Sequence, residues 1–458
     1  GNAVAWDPQT RSMQTITLLK AAYVRAIRIP GGSLSDEYHW RTNTTLANSW
    51  TWNAGFHNFS QLITGLNAQA FVPVNYGTGT PAEAAEWVRY SNQTKGYGFK
   101  YWEIGNENYG TWEADHNIRP NDPVTYATRF KEYVQQMKAV DPSIKIGAVI
   151  EATEDGSANY PDEVVTNPRT GATHSGWTAV LLATFQQLGV TPDFVVYHRY
   201  EQGPGGESDA YLLTAAKGWS ADATTIRQIL NDYLGANAAL VEINCTENNS
   251  VYGNPGKQTT SLVNGLFLAD SIGNIMKTEF NSFFWWDLRN GQEAGNNNSS
   301  SLYGWRRYGD YGIVNAADPA GPADRYPTFY VYKLLQHFAR GGEIVLEAGS
   351  DYNGLGVYAV RDHNKTLHLL LINKHPTATL NTSVTIDGFN VGPQAEVYRY
   401  GIPQDEAART GTGSADLDHG AVALPGKTFT YTPAPYSATV IRIKGNQGRN
   451  DTAPNNGK

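Results

Sequence analysis

"KYWEIGNENYG", residues 100–110, decides how the rest of the chain is read. Tyr101, Trp102 and Ile104 form a short apolar and aromatic run suited to a buried strand. The run leads into Gly105 and then Asn106-Glu107-Asn108, a cluster of short polar groups where that strand ends. In a sheet of parallel strands the carboxyl ends are where ligands bind, so a glutamate there is a candidate for chemistry.

Outward from this stretch, residues 3 to about 340 alternate β-branched or aromatic runs with longer segments of helical period, the pattern of a parallel sheet wrapped by helices. The candidate strands are "AVAW" (3–6), "VRAIRIPGG" (24–32), "AFVPVNYG" (70–77), "KYWEIGNE" (100–107), "IKIGAVIE" (144–151), "DFVVYHRY" (193–200), "ALVEINCTE" (239–247) and "SFFWWDL" (282–288). A helical segment follows each. The clearest is "TPAEAAEWVRYSN", where Thr80 caps, Pro81 takes the first position and Glu83 completes a capping box. Eight strand-helix units predict a (β/α)8 TIM barrel, with an open doubly wound sheet as the alternative. The glycine fingerprint of a nucleotide-binding fold is absent.

After "FARGG" the texture changes to short alternating runs such as "LGVYAVRD", "TLHLLLINKH", "AEVYRYG" and "SATVIRIKG", with turn signals between them and no helical segment. This predicts an antiparallel β-sandwich. The expected division is a catalytic barrel over 1–340, a β-sandwich over 341–445 and a polar, disordered tail over 446–458.

Charged residues make up 17% of the chain and the net charge is -8, which gives no electrostatic case for nucleic acid or an anionic membrane. The 12 Trp and 27 Tyr, beside many Asn, suit a neutral polyhydroxylated ligand that offers apolar faces and hydrogen bonds together. A carbohydrate partner is expected, and a β-rich core carrying many rings is the plainer alternative. Cys245 is the single cysteine, so no intrachain disulfide or multi-cysteine zinc site can form. No run approaches the ~20 apolar residues of a membrane span. The chain opens without a signal-peptide pattern, and a secreted or periplasmic protein whose signal has been removed is the expectation. No cofactor is expected, and no metal: His39, His57, His116, His174 and His198 lack an HxxxH spacing.

Glu107 and Glu247 are each read as ending a strand, the fourth and the seventh, and would therefore project from one rim of the barrel. Two facing carboxyl groups are what glycosidic cleavage requires, one protonated to serve the leaving oxygen and one ionised to attack the anomeric carbon. Glu242 lies five residues before Glu247 on the opposite parity, nearer the middle of the strand.

"KYWEIGNENYG" resembles the acid/base strand of the retaining clan A glycoside hydrolases, most closely the family 51 α-L-arabinofuranosidases. "RIPGGS", "VNYGTGTPAEAAEWVRYSN" and "CTENNS" resemble the same family's second, third and seventh strand elements. The resemblance implies an exo-acting retaining arabinofuranosidase with Glu107 as general acid/base and Glu247 as nucleophile. It further implies Asn106 at the hydroxyl beside the anomeric carbon, Arg28 under the nucleophile, and His198, Tyr200, Trp286, Tyr76 and Asp36 around the sugar. Arg28 paired to a structural carboxylate and His198 as a core residue are the rival readings. The chain has Asn248-Asn249 where the family usually has an aromatic residue after its nucleophile. A β-galactofuranosidase, an endo-glucanase or xylanase of the same clan, or a carbohydrate-binding barrel without catalysis therefore stay open.

Overall fold

A computed structural model describes residues 1–7, 10, 12–47, 54–316 and 325–446. The chain divides into two compact units, Gly1–Phe329 and Tyr330–Lys458.

The first unit is built on seven strands: β1 (Ala26–Arg28), β2 (Gln69–Val74), β3 (Tyr101–Ile104), β4 (Lys145–Val149), β5 (Phe194–Gln202), β6 (Glu242–Val251) and β7 (Phe280–Phe283). They lie side by side in chain order and every pairing is parallel. The expected first strand, 3–6, is reduced to a bridge between Asn2 and Arg28. Residues 1–3 still do a strand's work. The Ala3 amide donates to Arg28 O, the Asn2 amide to Trp285 O and the Leu288 amide to Asn2 O, so this segment hydrogen-bonds both edges and the sheet closes on itself.

Helices α1 (Met13–Ala21), α2 (Phe56–Leu66), α3 (Pro81–Val88), α4 (Pro123–Val140), α5 (Trp177–Leu188), α6 (Asp209–Ala215), α7 (Trp219–Leu234), α8 (Leu262–Ile275) and α9 (Pro327–Leu335) fill the connections. The α3 start follows its residues: the Thr80 hydroxyl accepts from the Glu83 amide at 3.1 Å and Pro81 occupies the first turn. The predicted reciprocal bond is absent, because the Glu83 carboxylate turns instead to His39 Nδ1 at 3.0 Å. None of the helices among the described residues is long and apolar enough to cross a membrane.

Strand parity positions the site. On β3, Trp102 and Ile104 point toward the helices, where Trp102 meets Trp87 edge-on at 5.9 Å. Tyr101 and Glu103 point the other way. Tyr101 stacks on Phe71 at 4.4 Å, and Phe71 meets Phe284 at 4.6 Å and Phe194 at 6.1 Å, so rings from four segments plug the barrel interior. Burying such rings contributes about 1.5–3 kcal/mol each. Above this apolar layer the inward residues become polar.

The second unit carries a six-stranded antiparallel sheet of β8 (Ile344–Leu346), β9 (Leu355–Arg361), β10 (Thr366–Asn373), β12 (Val391–Gly401), β13 (Asp418–Ala423) and β15 (Ser437–Gly445). A two-stranded sheet of β11 (Thr382–Thr385) and β14 (Thr428–Tyr431) accompanies it. Leu369, Leu371 and Ile441 from the larger sheet share one apolar cluster with Phe429 and Tyr431 from the smaller. A helix that the sequence reading did not expect, α10 (Ile402–Thr410), follows β12, with Pro403 in its first turn and Gly411 as a left-handed C-cap at φ 72°. Those two signals were present in "GIPQDEAARTG"; its short length beside strong strand patterns hid it. The predicted tail falls, apart from Asn446, outside the described residues.

Candidate active site

Two of the expected strand ends are displaced. β3 stops at Ile104, so Glu107 lies in the turn beyond it, whereas β6 runs on to Val251 and carries Glu247 within the strand. The Glu107 backbone is left-handed, with φ 44°, an uncommon conformation for a residue with a side chain. What over-determines it lies underneath. Gly105 is at φ 75°, and a Cβ there would meet Asn108 Oδ1 at 1.9 Å. Buried Asp36 then staples the turn: its carboxylate accepts from the Asn106 amide at 3.0 Å, Asn108 Nδ2 at 3.0 Å and the Tyr76 amide at 3.3 Å. Burial pushes the Asp36 carboxyl up to about 7 against the pull of these hydrogen bonds.

Asp36 therefore builds the turn and does not face a ligand, contrary to the expectation. Tyr76 is also corrected: its ring is buried among Tyr126 and Tyr133, at 4.9 and 6.4 Å, and is 1% exposed. As the second residue beyond β2 it falls on the helix-facing side of the barrel wall.

The structure brings Arg28, Asn106, Glu107, His198, Tyr200 and Glu247 together. β5 and β6 pair in parallel with a register shift that sets His198 beside Glu247. Arg28, fully buried on β1, donates from Nη1 to Glu247 Oε1 at 2.6 Å, from Nε to Glu103 Oε2 at 2.9 Å and from Nη2 to Asn106 Oδ1 at 2.9 Å. Arg28 thus bridges two buried carboxylates, Glu103 and Glu247. Burial opposes the arginine's charge, but Glu103 and Glu247 more than compensate and keep it cationic. The Tyr200 hydroxyl donates to Glu247 Oε2 at 2.6 Å. That leaves both oxygens of Glu247 engaged by donors.

Glu107 has different company. Its Oε1 lies 2.7 Å from His198 Nδ1 and its Oε2 accepts from Trp112 Nε1 at 3.2 Å. His198 Nε2 is in turn 3.0 Å from Thr246 Oγ1, which orients the ring. Burial raises the Glu107 carboxyl, yet the His198 hydrogen bond and charge, with Trp112 and Arg28, hold it below the ordinary glutamate value in the ligand-free protein. Glu242, the other carboxylate of β6, pairs with Lys145.

Glu107, His198 and Glu247 offer ligand atoms that all lie within 4.8 Å of one another, and among the described residues this is the group that could hold a metal ion. Linear HxxxH spacing could not have shown it, because Glu107 comes from the turn beyond β3 and the other two from β5 and β6. Within this group His198 Nδ1 is hydrogen-bonded to Glu107 at 2.7 Å and lies 3.6 Å from Glu247 Oε2, whose own partners are Arg28 and Tyr200.

Of the tryptophan pair, Trp285 is fully buried and Trp286 is half-buried at the rim. The Trp286 ring lies over Gly31 and Gly32, where an added Cβ would come within 2.8 and 2.6 Å of it, and Trp6 meets it edge-on at 6.4 Å. "PGG" is thus a slot for that ring. Sequence reasoning missed Trp112, Glu113, Thr246 and Asn2. Asn2 accepts from Arg28 Nη1 at 3.2 Å, and Glu113 is buried against Asn106. Trp112 and Glu113 are defined by contacts within their own loop, with Glu107 and Asn106, and Thr246 and Asn2 by partners on other elements, His198 and Arg28.

Residues 63–179 match the family model described as the alpha-L-arabinofuranosidase 1 domain. The chain is 28% identical over 169 residues to a probable alpha-L-arabinofuranosidase C of Aspergillus fumigatus, covering 31% of this chain and 32% of that protein. It is 23% identical over 238 residues to an intracellular exo-alpha-(1->5)-L-arabinofuranosidase of Streptomyces lividans, covering 46% of this chain and 33% of that protein. The chain spans about a third of the length of these curated relatives. Its fold is similar to the GH51 alpha-L-arabinofuranosidase of Thermotoga petrophila, with a TM-score of 0.67 at 18% identity over 94% of this chain and 90% of that one. A Paenibacillus polymyxa xyloglucanase of family 44 shares the fold at a TM-score of 0.67 and 14% identity, over 97% and 99% of the two chains. In its matched segment and its fold the chain is similar to the family 51 branch of the clan A hydrolases, as the strand motifs imply.

Proposed function

We propose that the protein is a retaining glycoside hydrolase, an exo-acting α-L-arabinofuranosidase that releases terminal arabinofuranose from plant-type polysaccharides. One observation carries the mechanism: carboxylate oxygens of Glu107 and Glu247 approach within 4.8 Å. Retaining enzymes hold their carboxyl groups about 5–5.5 Å apart, whereas inverting ones need roughly 6.5–9.5 Å to admit a water. The sugar is supported by the matched segment and by the relatives' names.

In this reading Glu247, held by Arg28 and aimed by Tyr200, attacks the anomeric carbon. The glycosidic C–O bond breaks as the leaving oxygen takes the proton of Glu107. Glu107 then removes a proton from water, which attacks the anomeric carbon, releases the sugar with its configuration retained and frees Glu247. Asn106 meets the hydroxyl beside the anomeric carbon. A seated sugar excludes water from Glu107 and raises its proton affinity toward what an acid catalyst needs. The two facing sheets of the second unit fit a β-sandwich.

The test is initial rates on nitrophenyl furanosides and pyranosides, with xyloglucan and xylan alongside and Glu247→Ala as control. Cleavage of the α-L-arabinofuranoside that disappears in the control is the expected result. Activity on the polymers alone would move the protein to an endo-acting member of the clan. No cleavage of any substrate, with sugar binding intact, would leave a carbohydrate-binding barrel.

A further inference from the structure

Beyond β3, the loop that holds Glu107 brings Glu113 back under the site. Glu113 is 4% exposed, and its Oε1 accepts from Asn106 Nδ2 at 2.9 Å and from Ser33 Oγ at 2.8 Å. Its Oε2 is buried with no hydrogen-bond partner. On the far side of the same amide, Asn106 Oδ1 accepts from Arg28 Nη2. A donor on one end and an acceptor on the other leave the Asn106 amide a single orientation, with one of its two N–H groups uncommitted. Without Glu113, only Arg28 would fix the amide, and the free N–H could turn away from the sugar.

We propose that Glu113 is a positioning residue that sets the Asn106 amide, so that its second N–H meets the hydroxyl beside the anomeric carbon. The inference rests on the hydrolase reading above. Geometry and charge agree with it. Burial, and then the negative charges of Asp36 and Glu107, push the Glu113 carboxyl up to about 9. Tyr109 also lies in its electrostatic reach. The group therefore enters neutral pH as an uncharged acid. It can accept from Asn106 without adding a further negative charge beside Glu107, and glutamine can reproduce its acceptor.

The experiment measures kcat and KM for wild type, Glu113→Ala and Glu113→Gln on an aryl α-L-arabinofuranoside and on its 2-deoxy analogue. Glu113→Ala is expected to lose about 10- to 100-fold in kcat on the 2-hydroxy substrate, the size of one hydrogen bond made in a charged transition state, with KM little changed. On the 2-deoxy substrate the same variant should match wild type, and Glu113→Gln should stay within about threefold on both. Equal losses on the two substrates, or unchanged rates on both, would overturn the assignment. If wild type itself shows no Glu247-dependent cleavage, the hydrolase reading fails and takes this inference with it. Failure of the Glu113 pattern on an active wild type breaks the inference alone.

Discussion

Glu107 and Glu247 are the same side chain in two settings. Glu247 sits within a strand, its side chain 6% exposed, with Arg28 and Tyr200 donating to its two oxygens. Glu107 sits in a left-handed turn, its side chain 19% exposed, against a histidine that can give or take a proton. Fixed donors engage both oxygens of Glu247, while burial raises the Glu107 carboxyl and the hydrogen bond and charge of His198 bring it below the ordinary glutamate value. In the mechanism proposed above, this difference in surroundings divides the labour between them.

The comparison breaks most visibly if each carboxylate is removed in turn. If Glu247 is the nucleophile proposed above, Glu247→Ala should cost at least ~10⁴-fold on every substrate, since no covalent intermediate can form. Glu107→Ala should cost about 10²–10⁴-fold on natural linkages and much less on nitrophenyl leaving groups, which need little protonation. Equal losses for the two variants across leaving groups would erase the division of roles.

Arg28→Ala tests what holds the ionised partner. It strands two buried carboxylates, Glu103 and Glu247, and breaking such a pair costs about 3–5 kcal/mol. A large drop in denaturant midpoint together with loss of activity is expected. A variant as stable as wild type would mean that the arginine's partners are solvated in the folded protein.

The smallest expected effect concerns His198. It is the leading influence that lowers the Glu107 carboxyl, so His198→Gln should raise that group's pKa. The alkaline limb of the bell-shaped rate profile, where Glu107 loses its proton, should then move to higher pH. An alkaline limb that stays or moves down would place the proton elsewhere than on Glu107.

Seven of the eight expected strands, the α3 cap and the change of texture near residue 340 are local patterns and were legible in the sequence, whereas the expected first strand over 3–6 is a lone bridge at Asn2. So were the polar clusters around Glu107 and Glu247. The displaced strand ends were less legible: Glu107 falls beyond its strand and Glu247 within one that continues, because backbone pairing, and not composition, ends a strand. Asp36 looked like a site residue and is buried under the turn, since a short polar loop reads the same whether it faces a ligand or its own backbone.

Taken by itself, the sequence determined the order of most of the barrel's strands and helices and the alternation of side chains along each strand, because alternation and capping act between neighbours a few residues apart. The tertiary structure alone decided which groups touch. Arg28 and Glu247 are 219 residues apart, and Asp36 and Asn108 are 72 apart. Contacts of that kind arise only when a closed sheet brings distant strands to one rim, and they set the proton affinities that no single stretch of chain encodes.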